Sequence, residues 1–342
     1  VLATGRASTR GQTPVGEVAD RAAQLLLNAT AEAGDGSGGR SGVWLDRISA
    51  GLLERRFIVS TRSGVSLLES EDYASDQARP LLGKPTQCVG REAELGILEM
   101  LLSTCVDDSE MATAIITGAP GVGKSRLRHE FLRRIQQGGK AGTIIVGHAS
   151  AIGAGQPYSP LADGLRRLCG LRGGESAEYQ RHRLHERIGQ KLDVHDVQRV
   201  TEFIGEMCGI PSAGGESLDL RVARSDPRAM ARQIAVALGD FLRAETRDGP
   251  LLLMVEDLQW SDPLTVRCIE DVLASLREVP LMMVATARPE VYSTFPKLWK
   301  TLNVREIKLQ GISRKAAERF VAQMLGRNVT PETLRQIIER AE

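Results

Sequence analysis

Eight consecutive residues, Gly118-Ala119-Pro120-Gly121-Val122-Gly123-Lys124-Ser125, put three glycines, a lysine and a hydroxyl into one tight segment. Glycines let backbone N–H groups converge without a Cβ in the way, so such a segment can cradle phosphate oxygens. Lys124 would bring a cation to the β- and γ-phosphates, and the Ser125 hydroxyl would bind magnesium. An apolar run, Ala114-Ile115-Ile116-Thr117, leads in, and Leu127, Phe131, Leu132 and Ile135 lead out on one helical stripe. Strand, glycine loop and the positive end of a helix make an anion site. Arg126 follows immediately and is counted with Gly118, Gly121, Gly123, Lys124 and Ser125 as a candidate nucleotide contact.

Phosphate chemistry with a metal also needs carboxylates. Leu251-Leu252-Leu253-Met254-Val255-Glu256-Asp257 supplies five apolar residues and then two acids. Glu256 would hold magnesium, directly or through Ser125, and Asp257 would orient or deprotonate the attacking water. The shorter acid then has to reach the water, which predicts slow hydrolysis, and the reverse assignment of the two acids stays open. A further apolar run, Leu281 to Thr286, ends in Ala287-Arg288-Pro289. A cation at that strand tip would lie near the γ-phosphate and distinguish ATP from ADP. Lys124, Asp257 and Arg288 are therefore the candidate catalytic residues.

The elements that must position these groups follow from the pattern around them. Short, nearly continuous apolar runs at 113–117, 143–146, 251–255 and 281–286 predict strands buried on both faces, and 304–309 is a fifth candidate strand. Helical segments alternate with them, which predicts an α/β fold with a parallel sheet covered by helices. Residues 157–246 read as mostly helical. Two last helices are expected at 313–325 and 331–341, the second capped by Thr330 with Pro331 in its first turn. By composition, residues 1–70 set themselves apart as short apolar segments around a Gly-rich connection at 33–42. Residues 71–87, polar and containing Pro80 and Pro85, form a linker. A nucleotide-binding domain spans 88–310, followed by the two last helices in 311–342.

Composition excludes several classes. The 342 residues carry a net charge of +1, so nucleic acid is not an expected partner of this chain except through domains outside it. The cluster Arg126, Arg128, Arg133 and Arg134 reads as a solvated helix face. Five scattered cysteines without a C-x-x-C pair point to neither disulfides nor zinc and fit a reducing cytoplasm. No apolar run approaches the ~18 residues of a membrane span. His182 and His185 read as a surface pair, Trp260 as packed under the strand-tip loop, and Asp262-Pro263 as a helix start. Val1, in place of Met, predicts a longer parent protein.

Four segments in order, Val89-Gly90-Arg91-Glu92, the phosphate loop, Glu256-Asp257-Leu258-Gln259-Trp260-Ser261-Asp262 and Thr286-Ala287-Arg288-Pro289, resemble the STAND-type ATPases, AAA-like P-loop NTPases of bacterial regulators. The resemblance covers about 88–342 and implies that 311–342 are the start of a truncated helical lid. It implies Mg2+ and ATP/ADP as ligands, with Val89, Gly90 and Arg91 against the adenine and Arg288 as a sensor. It further implies nucleotide exchange coupled to opening, and self-association or intramolecular effector domains as partners. Ala3-Thr4-Gly5, the run Gly16 to Leu25 and the segment Trp44 to Val59 resemble the C-terminal part of a class III nucleotide cyclase. Asp20 stands where that family has its ribose-orienting Asn, and Gln24 where it has the transition-state Arg. This second resemblance implies a small partial α+β domain in residues 1–70, and loss of that cation a degenerate, inactive remnant. The expectation is an ATP-driven switch in a signalling or transcription regulator. The alternatives are a regulatory ATPase module of an adenylate or guanylate cyclase and a nucleic-acid-stimulated ATPase.

Overall fold

The computed structural model describes residues 1–5, 8–10, 13–33, 43–54, 57–62, 65–71, 88–139, 142–151, 155–171, 174–212, 214–325 and 330–340. The chain divides into two compact units, residues 1–79 with 172–175, and residues 80–171 with 176–342. Most of the expected Gly-rich connection (34–42) and of the expected linker (72–87) lies outside the described residues.

The first unit begins with the hairpin β1 (Ser8–Arg10) and β2 (Thr13–Val15), followed by α1 (Glu17–Ala33). β3 (Val43–Leu45), α2 (Arg47–Leu53), β4 (Phe57–Arg62) and β5 (Val65–Glu71) then build an antiparallel sheet in the order β3-β5-β4. Asp46 caps α2 by accepting the Ser49 N–H at 2.9 Å. Asp20 and Gln24 are both exposed on α1.

The second unit is an α/β layer structure. Its elements run α3 (Glu92–Asp107), β6 (Ala112–Thr117), α4 (Lys124–Gln137), β7 (Thr143–His148) and α5 (Ser159–Leu168). Four helices follow: α6 (Ala177–Gly189), α7 (Val194–Met207), α8 (Leu218–Arg224) and α9 (Pro227–Glu245). The chain then passes through β8 (Leu251–Glu256), α10 (Pro263–Ser275), β9 (Leu281–Ala287), α11 (Val291–Thr294) and β10 (Val304–Lys308). It ends in α12 (Arg314–Leu325) and α13 (Pro331–Glu339). Five of these strands form one parallel sheet in the order β10-β6-β9-β8-β7, matching the five strands expected from the apolar runs.

Hydrophobic runs on both faces make this sheet. Every residue of β8 and β9 is buried. Leu252, Met254, Met282 and Val284 face α3 and α4, where Leu98, Leu127 and Phe131 close one core. Leu253, Val255, Met283 and Ala285 face the other core, which contains Leu161 of α5, Phe203 of α7 and Phe241 of α9. Edge strand β10 buries only Ile307, its other positions being half-buried or exposed, as expected with one side unpaired. Gly147 of β7 lies so close to α5 that a Cβ there would meet the Pro160 carbonyl oxygen at 1.8 Å. Asp262 caps α10, accepting the Thr265 N–H at 3.0 Å with Pro263 in the first turn, and Thr330 caps α13 through the Thr333 N–H. Among the described residues no helix is long and apolar enough to cross a membrane.

Candidate functional site

Strand order sets the site. β9 lies between β6, which carries the glycine loop, and β8, which carries the acids. Thr117 pairs in register with Ala287, and Glu256 with His148, so these strand ends share one carboxyl edge. In open parallel sheets ligands bind outside that edge.

The loop runs from Gly118 to Gly123, and α4 begins at Lys124. Gly121 (φ +80°) and Gly123 (φ +103°) adopt left-handed backbone that other residues resist. A Cβ at Gly118 would meet the Leu309 carbonyl oxygen at 2.9 Å. Lys124 is 8 % exposed, and its ammonium donates to the carbonyls of Gly118 at 2.7 Å and Ala119 at 3.0 Å. Burial draws its pKa below the usual 10.5, with Asp257 and Glu290 pulling it up and Arg288 pushing it down. Those influences put Lys124, Asp257 and Arg288 in one electrostatic neighbourhood. Ser125 is exposed in the first turn of α4.

The two acids separate. Glu256 is 5 % exposed and sits in an ion pair with Arg128 of α4 at 2.9 Å. Its other carboxylate oxygen contacts His148 Nε2, and His148 Nδ1 lies 3.7 Å from Asp163. Asp257 turns the chain at φ +54°, and its N–H donates to the Thr286 hydroxyl at 3.2 Å. Gln259 Nε2 donates to Asp257 Oδ1 at 3.0 Å, and Gln259 Oε1 accepts the Arg288 N–H at 2.9 Å.

Arg288 is half-buried and its guanidinium lies 5.7 Å from the centre of the Trp260 ring. Trp260 is 37 % exposed beside Arg288, so it is less enclosed than packing under the strand-tip loop would make it. The expected solvated arginine face of α4 also needs correction. Arg128 is buried at 3 % because it meets Glu256, while Arg133 and Arg134 stay at the surface and bind Glu130. Arg126 is half-buried, and its Nε and Nη1 are buried without a hydrogen-bond partner.

Val89 and Gly90 precede α3, and Gly90 packs against Ala316 of α12. Arg91 is turned inward. It donates to the carbonyls of Val122 at 2.9 Å and Gln310 at 2.6 Å, and to Glu94 at 3.0 Å. Its guanidinium thus ties the glycine loop to the chain entering α12. His182 and His185 are exposed on α6, and no group of three or more metal-ligating side chains occurs among the described residues. The parts played by Arg128, His148, Gln259 and Thr286 carried no local signal in the sequence, although Gln259 and Thr286 stand inside the motif segments and Arg128 in the arginine cluster. Each acquires its part only through the strand neighbours it meets.

The sequence model of the AAA ATPase domain family matches residues 87–284. An uncharacterized protein of Rhizobium meliloti (strain 1021) is 27% identical over 209 residues, which is 60% of this chain and 19% of that protein. The chain thus spans about a fifth of the curated relative it matches. Solved structures with similarity include Cdc6p from Pyrobaculum aerophilum, at 13% identity and a TM-score of 0.46 over 78% of this chain and 58% of that one. The Aeropyrum pernix Orc1 protein, solved in complex with DNA, is 13% identical with a TM-score of 0.39 over 72% of this chain and 53% of that one.

Proposed function

Because this chain belongs to the AAA ATPase domain family, we propose that it is an ATP-binding, slowly hydrolysing switch of the STAND type within a larger bacterial signalling or transcription regulator. One observation carries the reading: Lys124 is a buried ammonium at a helix N-terminus, inside a glycine loop at the sheet's carboxyl edge, with Asp257 and Arg288 beside it. The residues fit a nucleotide. The loop offers backbone donors around a cation, and the buried, unpartnered nitrogens of Arg126 could take an acceptor of the same ligand.

ATP/ADP and Mg2+ are the proposed ligands, and magnesium when bound would offset phosphate charge. Ser125 would hold it with a carboxylate. Glu256 reaches it only by releasing Arg128 or His148, which supports slow turnover. Asp257 orients the attacking water. Arg288 senses the γ-phosphate and passes its presence to β9. Val89 and Gly90 would flank the adenine. Arg91 acts from behind the loop, on Val122 and Gln310, so nucleotide-dependent loop movement would be felt at α12, the start of the lid. We read residues 1–70 as a degenerate remnant of a class III cyclase, and the cytoplasm as the compartment. Self-association or effector domains of the parent protein would receive the signal.

The test is calorimetry with Mg-ATP. Wild type binds, and Lys124→Ala loses binding because the phosphate-facing cation is gone. Unchanged affinity in the variant would remove this site from consideration.

A further inference from the structure

We propose that Gln259 is a positioning residue that locks the water-orienting acid to the sensor strand; the proposal rests on the ATPase reading above. Gln259 is 9 % exposed and lies in the short 3-10 turn Leu258–Trp260 that follows the acids. Its amide group is used at both ends. Nε2 donates to Asp257 Oδ1 at 3.0 Å, and Oε1 accepts the Arg288 N–H at 2.9 Å. The Asp257 N–H is fixed on the Thr286 hydroxyl at 3.2 Å. One carboxylate oxygen of Asp257 is thereby held, and Oδ2 is left for a water. Because the same amide grips the backbone at Arg288, a shift of the sensor drags the carboxylate with it. A γ-phosphate contact at Arg288 would align the base by this route, and its loss would misalign it.

An amide suits this position for an electrostatic reason. Its two partners are the Asp257 carboxylate and the Arg288 backbone N–H, and both of these residues act electrostatically on Lys124. A neutral side chain can donate to a carboxylate and accept from a backbone N–H without disturbing that balance.

The full chain, assayed with saturating Mg-ATP, tests this. Gln259→Leu keeps the volume and removes both hydrogen bonds. Its kcat falls about tenfold or more, while KM and the calorimetric Kd for Mg-ATP stay within about threefold, the pattern of a lost transition-state interaction. Gln259→Glu is the same shape and serves if the leucine variant does not fold. At about pH 8 it still accepts the Arg288 N–H but sets a carboxylate against Asp257, so kcat falls at least as far. A wild-type kcat in either folded variant overturns the proposal, as does a loss confined to KM. Wild-type protein that binds Mg-ATP without turning it over overturns it too, and leaves the binding site standing. Wild-type protein that binds no Mg-ATP removes the underlying reading and this proposal together.

Discussion

At Lys124 burial and chemistry oppose each other. An ammonium that is 8 % exposed loses hydration, and its pKa falls accordingly, yet two loop carbonyls at 2.7 and 3.0 Å and the nearby Asp257 keep it in place. Asp257 raises the pKa of this cation through space, whereas Glu256 is held by Arg128 and His148. Asp257→Asn should therefore retain Mg-ATP binding and lose most turnover, about 100-fold or more, the usual scale of a general base. Parallel calorimetry and steady-state assays check this. Loss of binding would make Asp257 the metal acid and reverse the roles of the pair. Residue identity around the loop was legible because phosphate cradling uses consecutive residues. The parts played by Gln259, Arg128 and His148 were not legible, because each has a partner 29, 128 or 108 positions away on another strand or turn.

Elements place these residues through close approach. Gly147 admits α5 onto β7 with no room for a methyl group. Gly147→Ala should destabilise the chain by about 1–3 kcal/mol or prevent folding, as overpacking does. Denaturant unfolding at a fixed protein concentration reads the difference. On the opposite face, α3 and α4 are joined by a surface network. Glu130 binds Arg133 at 2.5 Å and Arg134 at 3.1 Å, and Arg134 reaches Glu99 of α3 at 3.0 Å. The Arg133 hydrogen bond, against the cost of burial, holds the Glu130 carboxyl below its ordinary 4.5. A carboxyl with a depressed folded pKa adds stability above its unfolded pKa, and that stability disappears as pH falls through the folded value. Glu130→Gln should thus cost about 1 kcal/mol at neutral pH, a figure kept low by the half-exposed arginines, and progressively less at an acid pH where the folded carboxyl is protonated. Urea midpoints at the two pH values decide it. Sequence periodicity identified α4 by its stripe of Leu127, Phe131 and Ile135, all now buried. It misjudged Arg128, which shares that inward face, because an isolated helix cannot reveal that a buried acid waits across from it.

The whole molecule joins a small antiparallel unit and a parallel α/β unit in one chain. If the second unit binds Mg-ATP only when folded, nucleotide at ~100 times its Kd should add about 2.7 kcal/mol to that unit's stability, and Lys124→Ala should abolish the gain. Calorimetric unfolding with and without nucleotide measures it, with one transition shifting and the variant unresponsive. By itself the sequence determined what can be written in consecutive residues: the glycine loop and its flanking strand and helix, the acids and the arginine at strand ends, the five strands of the parallel sheet, and the caps at Asp262 and Thr330. Local backbone geometry and hydrophobic spacing encode all of these. Only the tertiary structure decided that β9 stands between the loop strand and the acid strand, that Glu256 is taken by Arg128 and His148 while Asp257 is held by Gln259, and that Arg91 ties the loop to the chain entering α12. The reason is physical. Strand order and side-chain pairing arise from contacts between residues far apart in the chain, and no local pattern specifies which of two adjacent carboxylates a distant cation will claim.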